Sequence, residues 1–160
     1  MLFNVISLIV LFFIDRSTKI LAQLYLVDNM PVLIPGIIRL HLLKGGNTGA
    51  AFGIFEGKTE LLAVFSGVCC AILLYLIFRN KFENRTEKIG YILLCAGALG
   101  NLYDRAVEKT VTDFLEFLFI EFPIFNLADT MVDVGCLLIV IHLFFLSKDK
   151  KQLLKKGIDQ

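Results

Sequence analysis

The chain has 160 residues, a length that suits one domain. It is 57% hydrophobic with a mean hydropathy of +0.76, which excludes an ordinary water-soluble domain. A formal net charge of +1 gives no footing for a nucleic-acid partner, and none is expected. Tryptophan is absent, while 15 phenylalanines supply residues suited to lipid contact and apolar cores. Cys69, Cys70, Cys95 and Cys136 all lie in apolar runs without metal-site or CxxC spacing, so they read as packing residues.

Residues 2–22 form an apolar run broken by Asp15, Arg16 and Lys19. With no basic n-region and no small-residue cleavage site, this run reads as a retained membrane helix and not as a cleaved signal peptide. Asp15 and Lys19 are four apart and share a helical face, so they are expected to pair. Residues 23–58 change character: Pro31, Pro35, Gly36 and five further glycines punctuate β-prone pieces such as IIRLHLL at 37–43. A small two- or three-stranded element outside the bilayer is expected there, ending in NTGAAFGIF. Residues 59–78 give a second helix, uncharged from Leu61 to Phe78 and long enough for a bilayer core of about 30 Å. Residues 79–88 form a polar loop, 89–107 a third helix, and 108–122 an aromatic external loop of interfacial character. Pro123 is expected to open a fourth helix running to about Ser147, because proline is accepted in a first turn. The basic tail beyond it is expected to be partly disordered at its end.

These elements make an all-α membrane protein of four transmembrane helices with a small extracytoplasmic β-element, a single domain over 1–160. The 79–88 loop and the tail hold nine Lys and Arg, against four in the other two loops. The positive-inside rule therefore places both termini in the cytoplasm.

The stretch from Ala96 to Asp133 is the most informative. It sets Asn101, Asp104, Arg105, Asp113, Asn126, Asp129 and Asp133 into a chain that is otherwise mostly hydrocarbon. An ionisable group in a membrane costs several kcal/mol unless it is paired or wetted, so these residues point to function. At about 1.5 Å per residue, Asp15 lies roughly 20 Å across from the cytoplasmic side, and Asn101 and Arg105 roughly 18 and 24 Å. Asp129, six residues below the expected outer end of helix 4, is roughly 9 Å deep from the other side. Three helices and two loops thus bring polar groups to one depth in the outer half of the membrane. Two facing carboxylates cannot both ionise freely; they share a proton and divide acid and base roles. Neither His41 nor His142 offers a comparable arrangement. Asp104 rivals Asp113 as the second acid, and an Asp104–Arg105 ion pair at a helix end is the plainer alternative. A small proton-coupled transporter or channel subunit would spread its acids through the full membrane depth. A non-catalytic assembly factor would tolerate Asn at Asp113.

At these residues the chain resembles the bacterial lipoprotein signal peptidases, also called type II signal peptidases, a family of integral-membrane aspartic proteases. The likeness rests on DRSTK at 15–19, NTGAAF at 47–52, GALGNLYDR at 97–105, VTDF at 111–114 and FNLAD at 125–129, five boxes in order over nearly the whole chain. It implies Asp113 and Asp129 as the catalytic pair. It implies supporting or substrate-contacting roles for Asp15, Lys19, Asn47, Gly49, Gly97, Asn101, Asp104, Arg105, Asn126 and Ala128. The implied reaction removes the signal peptide from a prolipoprotein carrying a diacylglyceryl-cysteine, in the bacterial inner membrane, with the active site toward the outer face and with no metal or cofactor. The implied partners are that substrate and membrane lipids. Two positions depart from the pattern: Ala96 precedes Gly97 where a glycine is usual, and Asp133 is acidic where the family is usually apolar. Asp133 has two expected partners, Lys19 or the acid pair itself.

Overall fold

The structure, a computed structural model, describes residues 1–158, with side chains described for all of these except Ala51 and 146–158. Its helices are α1 (Leu2–Tyr25), α2 (Thr59–Arg79), α3 (Arg85–Tyr103) and α4 (Leu127–Ile158). Its strands are β1 (Val32–Ile34), β2 (Ile38–Leu40) and β3 (Leu115–Phe117), in one antiparallel sheet of order β1-β2-β3.

Several boundaries differ from the sequence-based expectation. The third helix starts at Arg85, not 89, because Asn84 caps it: its Oδ1 accepts from Glu87 N at 2.8 Å, while Glu87 Oε2 accepts from Glu83 N at 2.7 Å. Regular α-helix stops at Tyr103, and residues Asp104–Glu108 form a wider π turn. The fourth helix does not open at Pro123. Phe125 is held in extended form by Leu115, with both backbone hydrogen bonds at 2.7 and 2.9 Å, so helix begins only at Leu127. Nor does it stop near Ser147; it continues to Ile158. The tail, expected to be partly disordered at its end, is helical as far as Ile158, and residues 159–160 lie outside the described residues. Finally, the third strand comes from the 108–122 segment, not from 23–58.

The β1–β2 hairpin turns at Pro35-Gly36, where Ile37 N bonds Ile34 O at 3.0 Å and Gly36 has φ +71°. Proline followed by a positive-φ glycine is the signature of a type II turn. Beyond β2 the pairing continues irregularly. His41 N bonds Phe114 O, Leu43 N bonds Asp113 O, and Asn47 and Val111 exchange two bonds of 2.8 Å. Residues 111–115 are thus pinned to the 41–47 segment on one side and to Phe125 on the other.

Helix α3 is central and packs on α1, α2 and α4. One core gathers Leu8, Ile77, Ile92, Cys95, Ala96 and Met131; a second, under the sheet, holds Ala22, Leu26 and Phe114. Cys70 and Cys95 are buried as expected, but Cys136 is exposed on α4. Helices α3 and α4 approach closely enough that a Cβ on Gly97 would strike the carbonyl of Ala128, with Val132 N at 3.1 Å and its Cγ2 at 2.9 Å. Small residues at such a contact let backbones meet. Gly97→Ala is therefore expected to destabilise the protein by about 1–3 kcal/mol, as overpacking does, and to lower activity by displacing the first turn of α4. Unfolding in detergent micelles, followed by far-UV dichroism, measures the first effect.

The outer faces are apolar: Val64, Phe65, Val68, Ile72 and Tyr75 on α2 and Leu137, Val140 and Phe144 on α4 are all exposed, a surface that water would not favour. Thr59–Arg79 and Leu127–Phe145 are long and apolar enough to cross a membrane, with mean hydropathies of 2.7 and 1.9. Helices α1 and α3 fall outside that measure; α1 carries Asp15, Arg16 and Lys19, and α3 carries Arg85, Glu87 and Lys88.

Candidate active site

Asn126 precedes the first residue of α4 and caps it. Its Oδ1 accepts from Asp129 N at 3.0 Å, while Asp129 Oδ2 accepts from Asn126 N at 3.0 Å. This is a reciprocal capping box with Asp in the third helical position. Asp129 therefore does not share a helical face with Asn126; the two clasp the helix end. It also lies about 4.5 Å from the start of the helix, half the depth expected from a start at Pro123.

The same Asn126 reaches the second acid. Its Nδ2 donates to Asp113 Oδ1 at 2.6 Å, and Asn47 Nδ2 donates to Asp113 Oδ2 at 2.9 Å. On the other carboxylate, Asn101 Nδ2 donates to Asp129 Oδ1 at 2.7 Å. Each of the four carboxylate oxygens thus accepts from an N–H, and Asn126 supplies a donor to each acid. Both acids line a cavity of about 400 Å³, together with Asn47, Arg105 and a wall that includes Val111, Phe117, Ile124 and Phe125. Asp113 is buried, and burial together with the charge of Asp129 pushes its carboxyl up to about 6.

That shift has a sign. The folded chain holds the Asp113 proton at pH values where an unfolded chain has released it, from about 4 to about 6. This contribution to stability, on the order of 3 kcal/mol, is full below pH 4 and is lost as pH rises through about 6. In Asp129→Asn the Asp113 titration is expected to move below 6 yet stay above 3.8, since burial is the larger cause and survives the change. Carboxyl-carbon NMR of the labelled protein reads both midpoints.

Behind the acid pair lies a buried polar cluster. Lys19 Nζ stands 2.9 Å from Asp15 Oδ2 and 2.8 Å from Asp104 Oδ2, and donates to Asn101 Oδ1 at 3.0 Å. Lys19, Asp15 and Asp104 are all fully buried. Arg16 pairs with Asp104 through Nη1 and with Glu108 at 2.5 Å through Nη2, its guanidinium 4.5 Å from the Tyr103 ring centroid. The expected Asp104–Arg105 pair is absent: Asp104 is held by Lys19 and Arg16, and Arg105 instead donates to Gly49 O at 3.0 Å. Gly49 N in turn donates to Asn47 Oδ1 at 2.8 Å, fastening the 47–57 segment beside the cavity. A Cβ on Gly49 would meet Ile54 O at 3.0 Å. Gly100 packs so closely on Asp15 that a Cβ there would strike its Oδ2, and Ala128 is fully buried beneath Gly97 and Gly100.

Asp133 does not pair with Lys19, whose three partners are Asp15, Asp104 and Asn101; it is exposed and lines the cavity. Arg16 and Glu108 were not singled out from the sequence, nor was Gln23, which donates to Thr112 Oγ1 at 2.8 Å. Arg16 sits inside the DRSTK box, yet its partners lie 88 and 92 residues away and leave no local signal. On the sheet, Glu116 bonds Arg39 and His41, and the Arg39 bond holds its carboxyl below the usual range.

A family profile described as signal peptidase (SPase) II matches residues 7–145. A lipoprotein signal peptidase of Lactobacillus johnsonii is 33% identical over 92% of this chain and 94% of its own length. One from Nostoc sp. is 38% identical over 84% and 85%. Among solved structures, one described as a bacterial membrane enzyme superposes with a TM-score of 0.83 at 29% identity, covering 94% of this chain and 92% of its own. A second of the same description gives 0.78 at 28% identity over 89% and 93%. With the family profile spanning most of the chain and these relatives matching it nearly end to end, the protein belongs to the signal peptidase II family, a family of membrane proteases.

Proposed function

We propose that Asp113 and Asp129 form a one-proton acid pair that cuts prolipoproteins on the amino side of a diacylglyceryl-modified cysteine. The carrying observation is Asn126, which donates to Asp113 through its side chain and to Asp129 through its backbone, and so ties both acids to one cavity. Asp129, at the helix N-terminus, takes a proton from a water as its oxygen bonds the scissile carbonyl carbon. Asp113 gives its proton to the carbonyl oxygen. The resulting gem-diol collapses: the C–N bond breaks, the cysteine nitrogen takes the proton from Asp129, one diol hydroxyl returns its proton to Asp113, and the signal peptide leaves with a carboxyl end. The pair ends with the one proton it began with.

In this reading Asn47 and Asn101 hold the carboxylates and Lys19 orients Asn101. Arg105 has a buried Nε without a partner among the described residues and lines the cavity, so it offers a donor to a substrate carbonyl. Four helices span the inner membrane, both termini face the cytoplasm, and the acids lie toward the outer face. The domain is single, and the sheet and the 108–122 segment form its outer cradle, touching lipid and the acylated substrate. Support for this orientation comes from the excess of Lys and Arg in the 79–88 region and tail, and from the acids sitting at the first turn of α4 and in the segment before it.

Purified protein in detergent is expected to release the signal peptide from a diacylglyceryl prolipoprotein, at a rate unchanged by excess chelator. No release by folded protein, or loss of release on chelation, would overturn the reading.

A further inference from the structure

We propose that Asp133 is a substrate-binding residue that accepts a hydrogen bond from the main chain of the signal peptide, about two residues before the scissile bond. The inference rests on the reading of Asp113 and Asp129 as the hydrolytic pair. Asp133 lies one turn beyond Asp129 on α4 and lines the same cavity. It is exposed and, among the described residues, has neither an ion-pair nor a hydrogen-bond partner, whereas all four oxygens of Asp113 and Asp129 are occupied by N–H donors. A carboxyl so placed on an apolar helix costs several kcal/mol unless something pairs or wets it.

The substrate supplies what is missing. A peptide must lie extended to present a bond to two carboxyls, and an extended chain inside a membrane has N–H groups with no water to take them. The diacylglyceryl group, an ester, brings acceptors only, so the donors are main-chain amides. The cavity is also lined by Val132, Val134, Val111, Ile124 and Phe125, none with an acceptor side chain, and by Thr130 and Asn47, whose side chains are already engaged, Thr130 Oγ1 donating to Asn126 O and Asn47 Oδ1 accepting from Gly49 N. Asp133 is the cavity's unoccupied carboxyl. Four residues of helix span about 6 Å, which matches about two residues of extended chain. The bonded amide therefore lies roughly that far from the attacked carbonyl.

The test combines Asp133 variants with a set of diacylglyceryl prolipoprotein peptides N-methylated in turn at each of the three amides before the scissile bond. N-methylation at one of these amides is expected to raise the KM of the wild type about tenfold with kcat nearly kept. Asp133→Leu is expected to show a similarly raised KM with the unmodified peptide and less than twofold further change on methylation. Asp133→Asn, which keeps an acceptor oxygen, is expected to retain the sensitivity. Asp133→Ala replaces Leu if the Leu protein does not fold. Equal methylation losses in wild type and Asp133→Leu at all three amides would overturn the proposal. So would a shifted pH profile of kcat with KM unchanged, which would mean that Asp133 acts through the charge of the pair. Binding of the uncleaved peptides, compared between Asp129→Asn and Asp129→Asn/Asp133→Leu, reads the contact without turnover. Failure of the acid-pair reading shows up separately, as cleavage by Asp129→Asn.

Discussion

Asp129→Asn and Asp113→Asn are each expected to lower kcat for signal-peptide release by about 10³-fold or more, with KM little changed. General acid and general base each contribute about 10²–10⁴-fold, and in a one-proton pair neither member has a substitute. Asn keeps the size and one acceptor oxygen of Asp but turns the other oxygen into an amide. At position 129 that amide must face either Asn101 Nδ2 or Asn126 N, both of which are donors. At position 113 it must face Asn126 Nδ2 or Asn47 Nδ2. Each variant therefore loses one hydrogen bond and about 1–3 kcal/mol of stability, so thermal unfolding has to be recorded beside the rate. Asp104→Asn is the informative control. Its carboxylate is paired with Arg16 and Lys19 and does not line the cavity, so its substitution is expected to cost stability while sparing more of the rate. Cleavage within tenfold of wild type by folded Asp129→Asn or Asp113→Asn would remove the acid pair from the mechanism. A loss confined to Asp104→Asn would transfer the second acid to that residue.

Sequence reasoning reached the polar residues by a cost argument: acids in hydrocarbon need a reason. That argument is local in composition: it singled out Asn101, Asp104, Arg105, Asp113, Asn126, Asp129 and Asp133 together, and the preference for Asp113 over Asp104 came chiefly from the family resemblance. Hydrogen-bond partners are another matter. Arg16 pairs across 88 residues with Asp104, and nothing about the spacing of either residue foretells the other. The start of α4 shows two local signals in competition. Pro123 favours a first turn, while Asn126 with Asp three residues later forms a capping pattern. The capping pattern prevailed because Phe125 is claimed by Leu115, a pairing set by the sheet. The third strand was hidden for the same reason. LEF at 115–117 is too short for periodicity to read, and its register, with Leu40 opposite Leu115 and Ile38 opposite Phe117, depends on the hairpin it joins. That strand also places Asp113: the chain leaves β3 backward through Phe114, and the bonds of Leu43 to Asp113 O and of His41 to Phe114 O fix the backbone at the acid and at the residue after it.

Lys19→Met is expected to be the most destabilising single substitution behind the site, at about 3–5 kcal/mol. Lys19 is fully buried between Asp15 and Asp104, at 2.9 and 2.8 Å, and Met matches its length without the charge. Removing the cation leaves two buried carboxylates facing each other's field. Arg16 continues to serve Asp104, but among the described residues Asp15 has no other cation. The change also reaches the chemistry. Asn101 Oδ1 accepts from Lys19 Nζ at 3.0 Å and from Asn126 Nδ2 at 3.3 Å, which is what turns its Nδ2 toward Asp129. With Lys19 gone, one of the two donors that fix the amide is lost, and folded Lys19→Met is expected to cleave about tenfold more slowly. Adding Asp15→Asn should recover part of the stability, because it neutralises the carboxylate left unpaired. The same addition should leave the slowed cleavage as it is, because the hydrogen bonds of Asn101 go to Lys19, Asn126 and Asp129 and not to Asp15. Denaturant unfolding in micelles and single-turnover rates on the two proteins separate the effects. A stability loss below about 1 kcal/mol in Lys19→Met, or full recovery of the rate in the double variant, would show that Lys19 is not what holds the cluster and Asn101 in register.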